Sequence, residues 1–195
     1  FVFIVGFLSG TYAADTANHV VCKTTIWDVY TTANSKLPNN IVSCMYLDVQ
    51  DNFWIGTQNG IVIAKDTLKK VLHVANGLAD EKITTIFVDG FGWAWIGSST
   101  KGITKYKEGS PSLYYSTTST PTSARTNDNN ITGIAEYSST NYWFTTVNGG
   151  INQLQGTTMN FYNTVNSPLS TNYTNGVKIT GSGVVWFGTI GKGLW

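Results

Sequence analysis

Short apolar stretches alternate along the chain with clusters of Gly, Asn, Asp and Ser. No stretch of ten or more residues repeats its apolar positions at the 3.6-residue spacing of an amphipathic helix. The apolar runs 41–47 and 83–88 are nearly continuous, which predicts strands buried on both faces. Turn residues follow each run, at 51–52 and 89–90, and then a second strand that carries a tryptophan. The same order returns from Ile131, with a turn at 138–141 before Trp143, and from Thr174, with a turn at 181–183 before Trp186. A glycine then leads each unit into a third strand: Gly60, Gly102, Gly150 and Gly193. A positive φ or a close backbone approach is predicted at these glycines. More polar fourth strands are predicted over 70–74, 112–116 and 158–162, and a similar strand over 24–31 precedes the first unit.

The tryptophans that anchor the pattern are Trp54, Trp95, Trp143 and Trp186, separated by 41, 48 and 43 residues. A period near 40–45 residues with several short strands per unit is that of a β-propeller. The fold class predicted is therefore all-β, a β-propeller of four four-stranded blade repeats, with units starting near 41, 83, 131 and 174. Hydrophobicity falls from the first strand of a unit to the last, as expected if the first lies near the axis and the last meets water. The repeated tryptophan is expected to wedge between neighbouring blades, where a large ring fills a widening gap. The longest interval contains a polar insertion, 116–130, expected to be a mobile surface loop. The repeat arithmetic leaves the last unit without a fourth strand, so the chain is expected to be a fragment of a larger propeller. The rival geometry uses 24–31 as that strand and closes a ring of four.

Composition narrows the classes further. Only 12% of the residues are charged and the net charge is +1, so no basic stripe supports binding to nucleic acid. The chain opens with an apolar run, 1–8, followed by small residues up to Ala13-Ala14-Asp15. This resembles the core and cleavage site of a secretory signal and is too short to span a bilayer. Residues 1–14 are read as the remnant of a signal and 15–195 as the propeller, exported to a periplasmic or extracellular location. Export would permit a disulfide between Cys22 and Cys44, although Cys44 within an apolar run also suits a free thiol.

Chemistry-bearing patterns are scarce. His19 and His73 lie near no Cys, Asp or Glu at metal-ligand spacing, and no metal or other cofactor is expected. Nothing matches a nucleophile elbow, and Gly181-Ser182-Gly183 reads as a turn. Asp48, Asp51 and Asp89 lie near blade turns, where side chain-to-backbone turns explain them. A binding face is the better expectation. The loops entering the inner strands of a propeller gather at one end of its axis. Asn40, Lys82, Asn130 and Tyr173 precede those strands, and the hairpin residues Asn59, Lys101 and Asn148 are expected nearby. Amides, lysines and an aromatic ring suit hydrogen bonding and stacking against a sugar-like ligand. No catalytic residue is assigned.

The units resemble the two-component regulator propeller repeat. The match rests on Trp54-Ile-Gly-Thr57 with Gly60-Ile61, on Asn76-Gly77-Leu78 before Ile83, on Trp95-Ile-Gly-Ser98 and on Trp186-Phe-Gly-Thr189. The third unit departs with Trp143-Phe-Thr-Thr146 but keeps Gly149-Gly150-Ile151. The resemblance implies an extracytoplasmic sensor of a two-component signalling receptor. It also implies a small-molecule or oligosaccharide ligand, and downstream signalling domains in the same full-length chain. A homodimer is compatible with it. Two alternatives stay open: a secreted adhesion or scaffold propeller, and a propeller lyase related to the streptogramin lyases.

Overall fold

The computed structural model describes residues 29–65 and 68–195. The signal remnant, His19, Cys22 and most of the strand read over 24–31 lie outside the described residues.

Among the described residues, four antiparallel sheets follow one another, each a simple meander. The first contains β1 (Val42–Leu47), β2 (Phe53–Thr57), β3 (Gly60–Ala64) and β4 (Leu68–Leu72). The second contains β5 (Ile83–Val88), β6 (Ala94–Ser98), β7 (Ile103–Tyr106) and β8 (Leu113–Tyr115). The third contains β9 (Ile131–Ser138), β10 (Asn141–Thr146), β11 (Ile151–Gln155) and β12 (Thr158–Tyr162). The fourth has three strands among the described residues, β13 (Thr174–Ile179), β14 (Val185–Thr189) and β15 (Gly193–Leu194). The inner strands pack in sequence, β1 on β5, β5 on β9 and β9 on β13. The sheets are blades, and three of them are four-stranded as the repeat predicted. Residues 29–31 belong to no strand, so the described end of the 24–31 segment does not form the strand read there.

Trp54 and Trp95 wedge between blades as expected, whereas Trp143 stacks on Tyr162 of its own blade and Trp186 is 43% exposed. Trp54 on β2 joins a core with Ile83, Ile86 and Val88 of the following blade. Trp95 on β6, fully buried, joins one with Ile131, Ile134 and Phe144. Trp54 and Trp95 are each held by an aspartate six positions earlier. Asp48 Oδ1 accepts the backbone N–H of Gln50 and of Asn52, and its Oδ2 accepts Trp54 Nε1 at 2.9 Å. Asp89 does the same with Phe91 N, Trp93 N and Trp95 Nε1, and its Oδ2 also accepts the Tyr142 hydroxyl of the next blade. One carboxylate thus closes the turn and orients the wedge. The turn role was expected at Asp48 and Asp89; the indole bond was not. Burial alone would raise the Asp48 carboxyl, but hydrogen bonds from Trp54, Asn52 and Gln50 outweigh it and hold it below the usual carboxylate value.

A second device joins blade to blade. The hydroxyl of Ser43 donates to the Ile83 carbonyl, that of Thr84 to the Ile131 carbonyl, and that of Thr132 to the Thr174 carbonyl. In each case the second residue of an inner region reaches the first inner-strand residue of the next blade. Close approach matters at the same junctions. A Cβ on Gly97 of β6 would come within 2.9 Å of Ile131 in the next blade. The third blade puts Thr145 at the corresponding place, and there Gly133 of β9 supplies the room: a Cβ on it would lie 2.8 Å from Thr145 Oγ1 and from Gly176 Cα. The departure Trp143-Phe-Thr-Thr146 is compensated across the strand pair.

Three expectations need correction. β1 is not buried on both faces; Met45 and Leu47 are 47% and 51% exposed, whereas their counterparts Ile86 and Val88 are 6% and 4% exposed. An inner strand is covered on that face only by a preceding blade, and none stands there among the described residues. The first outer strand ends at Leu72 rather than Val74, because Val74–Asn76 form a 3-10 turn closed by Gly77 at φ 104°. The 116–130 insertion is not a free loop: Asn127 pairs with the fully buried Asn152 through two hydrogen bonds of 2.7 and 3.0 Å, and Thr126 is buried. Cys44 carries a free thiol, which burial pushes up to about 12.

Candidate ligand-recognition face

The loops that enter the inner strands and the hairpins between second and third strands meet at one end of the blades. Four backbone bonds tie them: Gln58 N to Ile41 O, Ser99 N to Lys82 O, Val147 N to Asn130 O and Ile190 N to Tyr173 O. The hairpin glycines donate onward to the next entry loop, Gly60 N to Glu81 O, Gly102 N to Asn129 O and Gly150 N to Asn172 O. These glycines and Gly193 have φ between +79° and +99°, as predicted. A hydroxyl at the end of each Trp strand locks its hairpin: Thr57, Ser98, Thr146 and Thr189 donate to the carbonyls of Gly60, Gly102, Gly150 and Gly193.

Each entry loop is built from three successive positions with separate duties. The first caps: Asn39, Asp80, Asp128 and Thr171 accept the backbone N–H two residues on. The second ties back the outer-strand exit: Asn40 Oδ1 accepts Thr32 N, Glu81 Oε1 accepts Val74 N, Asn129 Oδ1 accepts Thr117 N and Asn172 Oδ1 accepts Thr164 N, all at 2.8–2.9 Å. The third position holds Ile41, Lys82, Asn130 and Tyr173, whose side chains carry none of these turn bonds. Lys82 and Tyr173 are exposed, Tyr173 at 51%.

The seven residues singled out from sequence all lie on this end, but at different stations. Lys82, Asn130 and Tyr173 occupy the third, outward one. Asn40 occupies the second and serves the turn; its outward neighbour is Ile41, 60% exposed. The strand begins at Val42, one residue later than the apolar run, and that offset hid Ile41. On the hairpins, Asn59 N and Lys101 N are held by Thr57 Oγ1 and Ser98 Oγ, while Asn148 N is held by Asp128 Oδ2. Lys101 stands immediately before its glycine, as does Lys192 before Gly193. The structure also pairs His73 Nδ1 with Glu81 Oε2 at 3.0 Å, a contact invisible from their eight-residue separation. Among the described residues no three of His, Cys, Asp and Glu gather in a way that could hold a metal ion.

Blade order, wedge tryptophans and the clustered entry loops define a β-propeller. Residues 36–59, from the entry loop through β2 into the hairpin, match the family model of the two component regulator propeller, so the first blade carries a repeat of that family. No curated protein matches the chain. Among solved structures, the fold resembles the extracellular domain of BT3049 from B. thetaiotaomicron, assigned as a hybrid two component system. That likeness has a TM-score of 0.71 at 22% identity, over 89% of this chain and 24% of the other. It also resembles PorZ of Porphyromonas gingivalis, a bacterial surface component of the type-IX secretion system (TM-score 0.66, 18% identity, 88% of this chain and 27% of that one). A streptogramin B lyase aligns with a TM-score of 0.59 at 20% identity, over 77% of this chain and 49% of the enzyme. The chain thus spans about a quarter of the first two and half of the third. No helix among the described residues is long and apolar enough to cross a membrane.

Proposed function

We propose that the chain is part of an exported sensor propeller of a two-component signalling receptor, a binding module rather than an enzyme, and that its entry-loop end recognises a hydroxyl-rich ligand such as an oligosaccharide. The observation that carries this is the third station of the entry loops. Lys82, Asn130 and Tyr173 sit in equivalent, backbone-fixed places with side chains that serve no turn. An ammonium, an amide and an exposed ring on one rigid rim suit a sugar's hydroxyls and its apolar face. Output would pass through further domains of the full-length receptor. The repeat match in the first blade and the likeness to the BT3049 domain support this reading.

A titration with a panel of oligosaccharides, followed by tyrosine and tryptophan fluorescence, tests it. Saturable binding is expected, with Tyr173→Ala and Lys82→Ala each weakening it about tenfold. Absence of binding across the panel, or binding indifferent to both variants, would overturn the reading. A second reading, a surface scaffold, is favoured by the likeness to PorZ; it expects capture of other surface proteins and no saccharide response.

A further inference from the structure

Towards the end opposite the entry loops, lysine ammonium groups are engaged by the fold. Lys65 Nζ donates to the Gln50 carbonyl and Lys107 Nζ to the Phe91 carbonyl, both at 2.8 Å, and Lys70 Nζ pairs with Glu108 at 2.5 Å. Lys105 Nζ lies over the rings of Trp93 and Trp95, 4.8 and 4.6 Å from their centroids. On the entry-loop rim the arrangement is reversed. Lys82, Lys101 and Lys192 are exposed, and their ammonium groups make no hydrogen bond or ion pair among the described residues. The acids of the same rim are the engaged groups. Asp80 accepts Lys82 N on one oxygen and the Thr100 hydroxyl on the other. Glu81 accepts Val74 N on one oxygen and meets His73 Nδ1 with the other. Asp128 accepts Asn130 N and Asn148 N in the same divided way. The carboxylates serve the scaffold, and the positive charge faces outward.

Backbone bonds gather these cations into two stations. The Lys82 carbonyl accepts Ser99 N at 3.1 Å, which brings Lys101, two residues further on, beside the same entry loop. The Tyr173 carbonyl accepts Ile190 N at 2.9 Å, which does the same for Lys192. The first station is on the second blade and the other on the fourth, with Asn130 of the third blade between them. We propose that the rim is specific for an acidic oligosaccharide, one whose sugars carry carboxylate or sulfate groups, laid across these three blades. One anionic group pairs with Lys82 and Lys101, and another with Lys192, where a sugar ring lies on Tyr173; the Asn130 amide takes a hydroxyl between them. Hydrogen bonds between ionised partners are about twice as strong as neutral ones, so the anions decide which sugar is held. A single sugar reaches one station, whereas a chain of several reaches both. The assignment rests on the rim being a saccharide site; it adds the charge of the ligand and Lys192 as a contact.

The probes are a tetramer of galacturonic acid, its carboxyl-reduced neutral counterpart, a sulfated galactan oligosaccharide of similar length, and polyglutamate, each titrated calorimetrically into the full chain. The better of the two acidic sugars is expected to bind at least about tenfold tighter than the neutral tetramer, and which of them it is names the anionic group. Its affinity is expected to fall as salt is raised, because salt screens exposed charges. Lys101→Gln combined with Lys192→Gln is expected to weaken it about tenfold. Lys178→Gln, which removes an exposed charge from β13 away from the rim, is expected to leave it unchanged. Equal affinity for acidic and neutral sugars overturns this proposal and leaves the saccharide site standing; no binding of any sugar overturns both. Polyglutamate bound as tightly as the acidic sugars means attraction by charge alone and also overturns it.

Discussion

At the scale of single residues, the repeats act as controls for one another. Trp95 Nε1 has its aspartate; Trp143 Nε1 is buried with no hydrogen-bond partner among the described residues, because Tyr137 stands where Asp48 and Asp89 stand in the other blades. An unpaired buried donor already carries its desolvation cost, so a phenylalanine loses less there. Trp143→Phe is expected to cost about 1–2 kcal/mol less than Trp95→Phe, as chemical denaturation of the two variants would show. Asp48 makes a prediction about acid. Its carboxyl is held below the ordinary value of 3.8, so the stability it adds is complete above that value and is lost as pH falls through the lower folded value. Tm measured against pH is therefore expected to fall less steeply below pH about 4 in Asp48→Asn than in the wild type. An unchanged slope would mean that the carboxylate gains nothing from its turn. Neither residue's role was fully readable in advance. The aspartates were recognisable as turn formers, but their bond to an indole six positions on depends on the twist of the strand pair, which sequence spacing does not display.

Among the elements, the inner strands and the Trp strands were legible because their signals are dense: apolar runs, a tryptophan and a glycine at near-constant spacing. The outer strands were legible only in outline. β8 is only three residues long and mostly exposed, so little apolar pattern marks its ends. The polarity of 116–130 suggested a free loop, and only the fold reveals that Asn152, fully buried on β11, is there to receive Asn127. The hydroxyl links between inner strands belong to this scale too. Thr84→Val keeps the shape of the side chain and removes the bond to the Ile131 carbonyl, at an expected cost of about 1 kcal/mol. Thr132→Val removes the same link one junction on. The two are in separate junctions, so the double variant is expected to lose the sum within about 0.5 kcal/mol, measured by urea denaturation. A clear departure from additivity would show that the blades do not behave as nearest neighbours.

For the whole molecule, period and composition sufficed for the architecture because a repeat fold multiplies every weak signal by its copy number. They did not suffice for the face proposed to bind a ligand. Asn40 and Lys82 look alike as polar residues ahead of a strand, yet one is spent on the turn and the other is free, a difference of one position in register. The apolar end faces, with Met45 and Leu47 on one side and Trp186, 43% exposed, on the other, follow from the same repetition: each blade is built to be flanked.

The three-position entry loop has a consequence for how such a molecule can change. Folding instructions are written at the first two positions, and the chemistry offered to the outside is written at the third. Within this one chain that third position has already been rewritten as isoleucine, lysine, asparagine and tyrosine without disturbing the scaffold beneath it. A change in what the rim offers to the outside can therefore be made at one letter per blade, leaving the grammar of the fold untouched.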